Sequence, residues 1–96
     1  MKRLMVTAVA LGLLITTAHA DDVDTAKGIM IANLYDRDCE PVAGLERMVR
    51  QLLATIPADA MHAGVDRALA YYRSMSREAF CVTAKPLVAS AVTAAR

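Results

Sequence analysis

The chain is poor in aromatic residues and cysteine: its 96 residues include no tryptophan, one phenylalanine, three tyrosines and two cysteines. The core of any domain must therefore be built mainly from aliphatic side chains, methionine and alanine. Basic and acidic residues nearly balance, at eleven and ten. There is no basic excess of the kind that indicates nucleic-acid binding, and no polybasic run that indicates an anionic lipid surface.

What the chain does have is an N-terminal segment typical of an export signal. Lys2 and Arg3 give it a positive start, an apolar run follows over residues 4–15, and Ala18-His19-Ala20 supplies the small residues of a cleavage site. We predict cleavage after Ala20, so that residues 1–20 are a signal peptide and residues 21–96 form a single domain. An uncleaved membrane anchor is the alternative, but a spanning helix needs roughly 20 apolar residues.

The predicted localisation is therefore periplasmic or secreted, by the general Sec-type route. Loss of Lys2 and Arg3 leaves nine basic residues against ten acidic ones, and the net charge becomes −1 with histidine neutral. A domain of this size buries only about 60% of the surface of its unfolded chain, so its stability is marginal without further support.

Cys39 and Cys81 are the only cysteines. In an oxidising compartment an even number of cysteines in a small domain predicts a disulfide. The bond would close a loop of about 43 residues, which the chain-entropy model values at roughly 4 kcal/mol. A reactive thiol is the alternative, but no Cys-x-x-Cys motif and no neighbouring lysine or histidine is present to lower a thiol pKa.

Apolar residues recur at helical spacing in four segments, which predicts an all-α fold: a small antiparallel four-helix domain with one disulfide. The first helix should begin near Thr25, with Asp22 and Asp24 as candidate N-caps, and end near Arg37. The second should begin at Pro41 and end at Ile56-Pro57. The third covers about 58–75. The fourth begins near 76, with a serine as N-cap, and we expect a kink or short break at the proline at position 86.

The apolar stripes of the later helices define a predicted core. Leu52 and Leu69 lie at the middle of the two clearest stripes and are predicted to be nearly fully buried. Other members of the stripes of the second, third and fourth helices are Leu45, Met48, Val49, Leu53, Met61, Val65, Ala68, Tyr72, Met75, Phe80, Cys81, Ala84, Leu87 and Val88.

Two features could suggest a metal site, and neither fits one. Acidic residues alternate from Asp36 to Glu40, as at the start of a calcium loop, but such a loop needs glycine at its sixth position and glutamate at its twelfth. Here those positions hold Pro41 and Arg47. His62 is the only histidine after cleavage, and one histidine does not make a zinc site. We predict no metal and no cofactor.

A cluster of arginine and tyrosine is the best candidate for partner binding: Arg67, Tyr71, Arg73 and Arg77. Tyrosine and arginine are enriched among the residues that dominate the energy of protein interfaces. The alternative is a solvated helix face that carries one partly covered tyrosine.

These observations predict a small exported, non-catalytic binding or accessory protein with an unknown protein partner, no nucleic acid and no membrane after signal cleavage. An enzyme is not predicted, because no convergent set of polar residues is visible. In size and layout the chain also resembles the small periplasmic acid-stress chaperones, which are exported, short and helical with one cysteine pair. That resemblance implies binding of unfolded proteins at low pH and is the alternative function. It assigns no functional residue.

Overall fold

A computed structural model describes the backbone of residues 2–94 and the side chains of residues 20–93. Within that range the chain forms four α-helices and no β-strand. They are α1 (Lys2–Asp38), α2 (Leu45–Thr55), α3 (Ala58–Arg73) and α4 (Arg77–Ala94). The predicted all-α, four-helix fold is confirmed.

Helix α1 is the centre of the domain, because each of the other three helices packs against it, α3 and α4 most extensively. Position 64 of α3 lies against Ala26, and Tyr72 of α3 reaches Asp38, so α3 runs parallel to α1. Helix α4 runs the other way, since its start is joined to the end of α1 and Ala91 meets Gly28. The helices therefore alternate in direction, as predicted from their short connections.

The main hydrophobic core lies between α1, α3 and α4. Phe80 at its centre is fully buried, and the rings of Tyr71 and Tyr72 meet it edge to face with centroids 6.1 and 4.9 Å away. The other buried members of this cluster are Ile31, Ala32, Leu34, Tyr35, Ala68, Ala84 and Val88. A second, smaller cluster of Ile29, Met48 and Leu52 attaches α2 to α1.

Small residues form the interface between α1 and α3, which we call the α1–α3 interface: Ala26 on α1 with Ala60, Gly64 and Ala68 on α3. A Cβ atom at position 64 would lie 2.4 Å from the Cβ of Ala26 and 2.8 Å from the backbone nitrogen of Lys27. Only glycine allows the two helices to approach this closely. The one-turn spacing of the three α3 residues keeps the close approach along two turns.

The helix ends follow local signals, with one correction. Ile56 is extended before Pro57 and ends α2, and the Ser76 hydroxyl accepts a hydrogen bond from the backbone N–H of Ala79 at 3.2 Å, both as predicted. Helix α2 does not begin at Pro41. Gly44 precedes its first residue with φ at +77°, a left-handed conformation that glycine adopts without strain, and the chain turns there before the helix starts.

The predicted start of the first helix is wrong, and of the kink or short break predicted at Pro86 the break is absent. Helix α1 begins at Lys2 and not near Thr25, because the backbone of Asp22 and Asp24 continues a helix formed by the residues before them and needs no N-cap. Helix α4 continues through Pro86 without a break. The proline side chain is exposed, as expected, and its ring lies away from the core.

The predicted core is correct for Leu52, which is only 6% exposed, but wrong for three other leucines. Leu69 is half-buried, Leu53 is 64% exposed and Leu87 is 45% exposed. In α3 the physical reason is that the small residues of the α1–α3 interface take the innermost position. The larger side chains on the same helix are displaced to its flanks.

Candidate functional site

The Cys39–Cys81 disulfide joins the turn after α1 to the start of the second turn of α4, with Cα atoms 5.6 Å apart. Both cysteines are half-buried and pack on the main core cluster. The bond is the one predicted from the cysteine count, and the Cα separation is within the range of about 7 Å that a disulfide can bridge. It fixes the end of α1 against the start of α4.

Asp38, the last residue of α1, is the centre of a polar cluster beside this disulfide. Its carboxylate accepts hydrogen bonds from Nε and Nη2 of Arg37, at 2.9 and 3.3 Å, and from the hydroxyl of Tyr72. Its backbone carbonyl accepts two more from Nε and Nη2 of Arg77, at 3.1 and 3.0 Å. We call these four residues the Asp38 junction.

The Asp38 junction stabilises the ionised carboxylate. Hydrogen bonds from Arg37 and Tyr72 lower the pKa of Asp38 from 3.8 to about 2, with smaller contributions from the charges of Arg37 and Arg77. The same hydrogen bond to Asp38 raises the pKa of Arg37. The Arg37 guanidinium also lies 6.0 Å from the centroid of the Tyr72 ring, within cation–π distance. Sequence reasoning missed this cluster, because its members are up to 40 positions apart.

The turn that follows α1 is held by two further side chains. Asp36 accepts a hydrogen bond from the backbone N–H of Val42 at 2.8 Å. Glu40 accepts one from the hydroxyl of Tyr35 at 2.5 Å, which raises the pKa of Tyr35, and lies 3.9 Å from Nζ of Lys85 on α4. Asp36 and Glu40 therefore bind the backbone of the turn and side chains next to it.

The four candidate partner-binding residues differ in their exposure and in their contacts. Arg67 and Arg73 are exposed on α3, and Arg77 donates to the end of α1. Tyr71 is half-buried, its ring packs on Phe80, and no described residue forms a hydrogen bond with its hydroxyl. Arg73 ends α3 and Arg77 begins α4, so the two are not on one continuous helix. A role in partner binding stays a prediction.

A surface groove between α2 and α3 was not predicted, because Leu53, Met61 and Val65, which line it, were assigned to the core. The α2–α3 groove has a volume of about 480 Å³. Its walls are apolar apart from one histidine: Leu53, Ile56, Ala58, Met61, His62 and Val65. Leu53 stands 64% exposed at its edge.

A second groove, of about 520 Å³, lies between α1 and α4. Leu87 and Ala91 line it on α4, and Lys27, Gly28 and Ile31 line it on α1. Asp24 also contributes, so this groove carries charges of both signs. Both grooves are mainly apolar, and this one differs from the α2–α3 groove in having charged residues in its lining.

The chain matches no protein-family model, no curated protein and no solved structure. Among the described residues, none of the helices combines the length and apolar character needed to cross a membrane.

Proposed function

We propose that this protein is exported and that its mature form, residues 21–96, is a non-catalytic binding module for an apolar segment of a protein partner. The observation that supports the proposal is the α2–α3 groove, whose apolar walls lie open beside an exposed leucine. Its volume is in the range of about 300–1,000 Å³ typical of binding clefts. The disulfide is compatible with an oxidising compartment.

The chemistry of the groove suits an apolar side chain of the partner. Leu53 and Ile56 form the wall on the α2 side, and Met61 and Val65 form the wall on α3. Methionine is unbranched and adapts its shape to what it contacts. Burial of an exposed leucine and its partner residue would be favourable by the hydrophobic effect alone, at roughly 25 cal/mol per Å² of apolar surface.

The first test concerns export. We expect the intact mass of the protein recovered from the exported fraction to correspond to a chain that starts at Asp21. A chain that retains residues 4–15 would contradict both the cleavage site and the proposed localisation.

The second test concerns the groove. The exported protein and its Leu53→Glu variant are compared for capture of partners from periplasmic extract at neutral pH, and a captured protein is then purified and titrated. We expect saturable binding that is lost in Leu53→Glu. Val82→Glu is the matched control, because Val82 is even more exposed, at 76%, and lies on α4 away from the groove.

Leu87→Glu is a third variant, and it places the same negative charge at the groove between α1 and α4. Equal loss of binding in Leu53→Glu and Val82→Glu, at unchanged helix content, would contradict the proposal. Loss confined to Leu87→Glu would move the binding face to α1 and α4. Binding of unfolded proteins that is present only at about pH 2–3 would instead support the acid-stress chaperone alternative.

A further inference from the structure

The groove between α1 and α4, which we call the α1–α4 groove, has an apolar end and a charged end. Gly28 and Ala91 meet near its middle. Because α4 runs antiparallel to α1, the residues one turn further along α1 and one turn earlier on α4 lie on the same side of that contact. They are Ile31, which is buried, and Leu87, which is 45% exposed. An open apolar surface therefore lies at the end of the groove that is nearer the disulfide.

Two side chains of opposite charge line the other half of the groove: Lys27, next to Gly28, and Asp24, one turn further from the apolar end. None of the ion pairs or side-chain hydrogen bonds between described residues involves either of them. Nζ of Lys27 lies 5.9 Å from the centroid of the Tyr71 ring, a cation–π contact that leaves its N–H donors free. Both charges are therefore available to a ligand.

The order of these features along α1 specifies the chemistry of a matching ligand. From the apolar end, the groove offers an apolar surface, then a positive charge, then a negative charge. A complementary molecule carries an apolar chain, then an anion, then a cation. Asp24 and Lys27 are three residues apart, which is a rise of about 4.5 Å on a helix. The phosphate and the ammonium of a phosphoethanolamine or phosphocholine head group are separated by two carbon atoms, so such a head group has the length to reach both side chains.

The size of the groove favours a small molecule over a polypeptide. Its volume is about 520 Å³, within the range of about 300–1,000 Å³ typical of small-molecule sites. Asp24 and Ile31 are seven residues apart, so the groove follows α1 for only about 10 Å. An extended peptide of that length has about three residues. A single acyl chain with a compact head group meets both the apolar surface and the two charges within that length.

We propose that the α1–α4 groove binds one molecule of a single-chain zwitterionic phospholipid. Its acyl chain lies on Ile31 and Leu87, its phosphate contacts the Lys27 ammonium, and its own ammonium contacts the Asp24 carboxylate. A lysine binds a phosphate as a point charge, and the apolar chain contributes through burial of its methylene groups. The site takes a monomeric amphiphile, so it differs both from a membrane surface and from the α2–α3 groove.

The test compares two soluble probes that differ in the order of their charges. Dodecylphosphocholine has its phosphate next to the chain, whereas a sulfobetaine with the same dodecyl chain has its ammonium there and its sulfonate at the end. Each is titrated into purified residues 21–96 below its critical micelle concentration and at low ionic strength. The NMR signals of the Leu87 and Ala91 methyl groups report binding. Residues 1–20 are left out because their apolar run would itself bind the probes, and the described core begins at Val23.

We expect saturable binding of both probes, with dodecylphosphocholine at least about fivefold tighter. Each contact between exposed charges is weak, but one probe gains two attractions where the other meets two repulsions. The variant Asp24→Lys/Lys27→Asp, which exchanges the two charges at constant net charge, should prefer the sulfobetaine. If circular dichroism shows that this variant has lost helix, Lys27→Gln replaces it and should reduce the preference to less than about twofold.

Leu87→Glu should abolish saturable binding of both probes, as followed by the Ala91 methyl group. Leu53→Glu, at the α2–α3 groove, is the matched control and should leave both affinities within about twofold. Equal affinities for the two probes, or loss of binding in Leu53→Glu alone, would overturn the proposal. Binding seen only with phosphatidylcholine vesicles would overturn it equally, because the protein would then adsorb to a membrane. So would a dimer of the probe-free protein that Leu87→Glu dissociates, because a second copy would then cover the groove.

Discussion

The two sides of α3 differ in the size of their residues and in how deeply those residues are buried. On the side of the α1–α3 interface, Ala60, Gly64 and Ala68 are buried because they are small enough to let two helix backbones meet. On the side of the α2–α3 groove, larger residues such as Met61 and Val65 are only half-buried. Dispersion contacts between closely packed backbones therefore decide which side faces inwards, and hydrophobicity alone does not.

The largest difference in stability is expected between substitutions of two neighbouring leucines of α2. Leu52 is 6% exposed and Leu53 is 64% exposed, although both belong to the same apolar stripe. We expect Leu52→Ala to lower the free energy of unfolding by about 2–5 kcal/mol, since it leaves a cavity beside Met48 and Ile29. Leu53→Ala should change it by less than about 0.5 kcal/mol. Urea unfolding followed by circular dichroism measures both, and equal losses would contradict the assignment of the two faces.

The second prediction concerns two glycines. Gly64→Ala should lower the free energy of unfolding by about 1–3 kcal/mol, because the new methyl group would meet the backbone of α1 and force the helices apart. Gly28→Ala is the matched control. Its Cβ would lie 3.8 Å from the Cβ of Ala91, an ordinary contact, so the better helix propensity of alanine should raise stability by up to about 1 kcal/mol. A gain of stability in both variants, or an equal change in both, would contradict the close approach of α1 and α3 at position 64.

The smallest expected effect is at Tyr71, whose hydroxyl is buried without a hydrogen-bond partner among the described residues. Tyr71→Phe should leave the free energy of unfolding unchanged or raise it by up to about 1 kcal/mol, because a buried polar group without a partner is unfavourable. Tyr72→Phe should lower it, because it removes a hydrogen bond to the Asp38 carboxylate. If Tyr71→Phe lowered the melting temperature more than Tyr72→Phe, the hydroxyl of Tyr71 and not that of Tyr72 would make the stabilising hydrogen bond, which would contradict the structure.

The sequence was sufficient for those parts of the fold that depend on local chemistry. Helical periodicity predicted four helices, Ile56-Pro57 predicted the end of α2, and Ser76 predicted the start of α4. The disulfide followed from an even cysteine count combined with an expected oxidising compartment. Each of these signals acts through neighbouring residues or through a single possible pairing.

The parts that sequence reasoning missed depend on contacts between distant segments. Periodicity shows that Leu69 and Ala68 share an apolar side of α3, but only the approach of Ala26 on α1 decides that the alanine is the innermost. The contact of Tyr72 with Asp38 joins residues 34 positions apart. The exposure of Leu53 likewise depends on the orientation in which α2 packs against α1. No local sequence pattern predicts that orientation.

Helices α2 and α3 leave large apolar side chains open to solvent, while small residues form the inner packing between α1 and α3. Relaxation of leucine methyl groups by a soluble paramagnetic agent, measured by NMR on purified residues 21–96, tests this most directly. Among Leu53, Leu69 and Leu52, we predict the strongest effect at Leu53 and the weakest at Leu52, in the order of their exposure. Protection of Leu53 as complete as that of Leu52 would contradict the claim and remove the α2–α3 groove as a binding face.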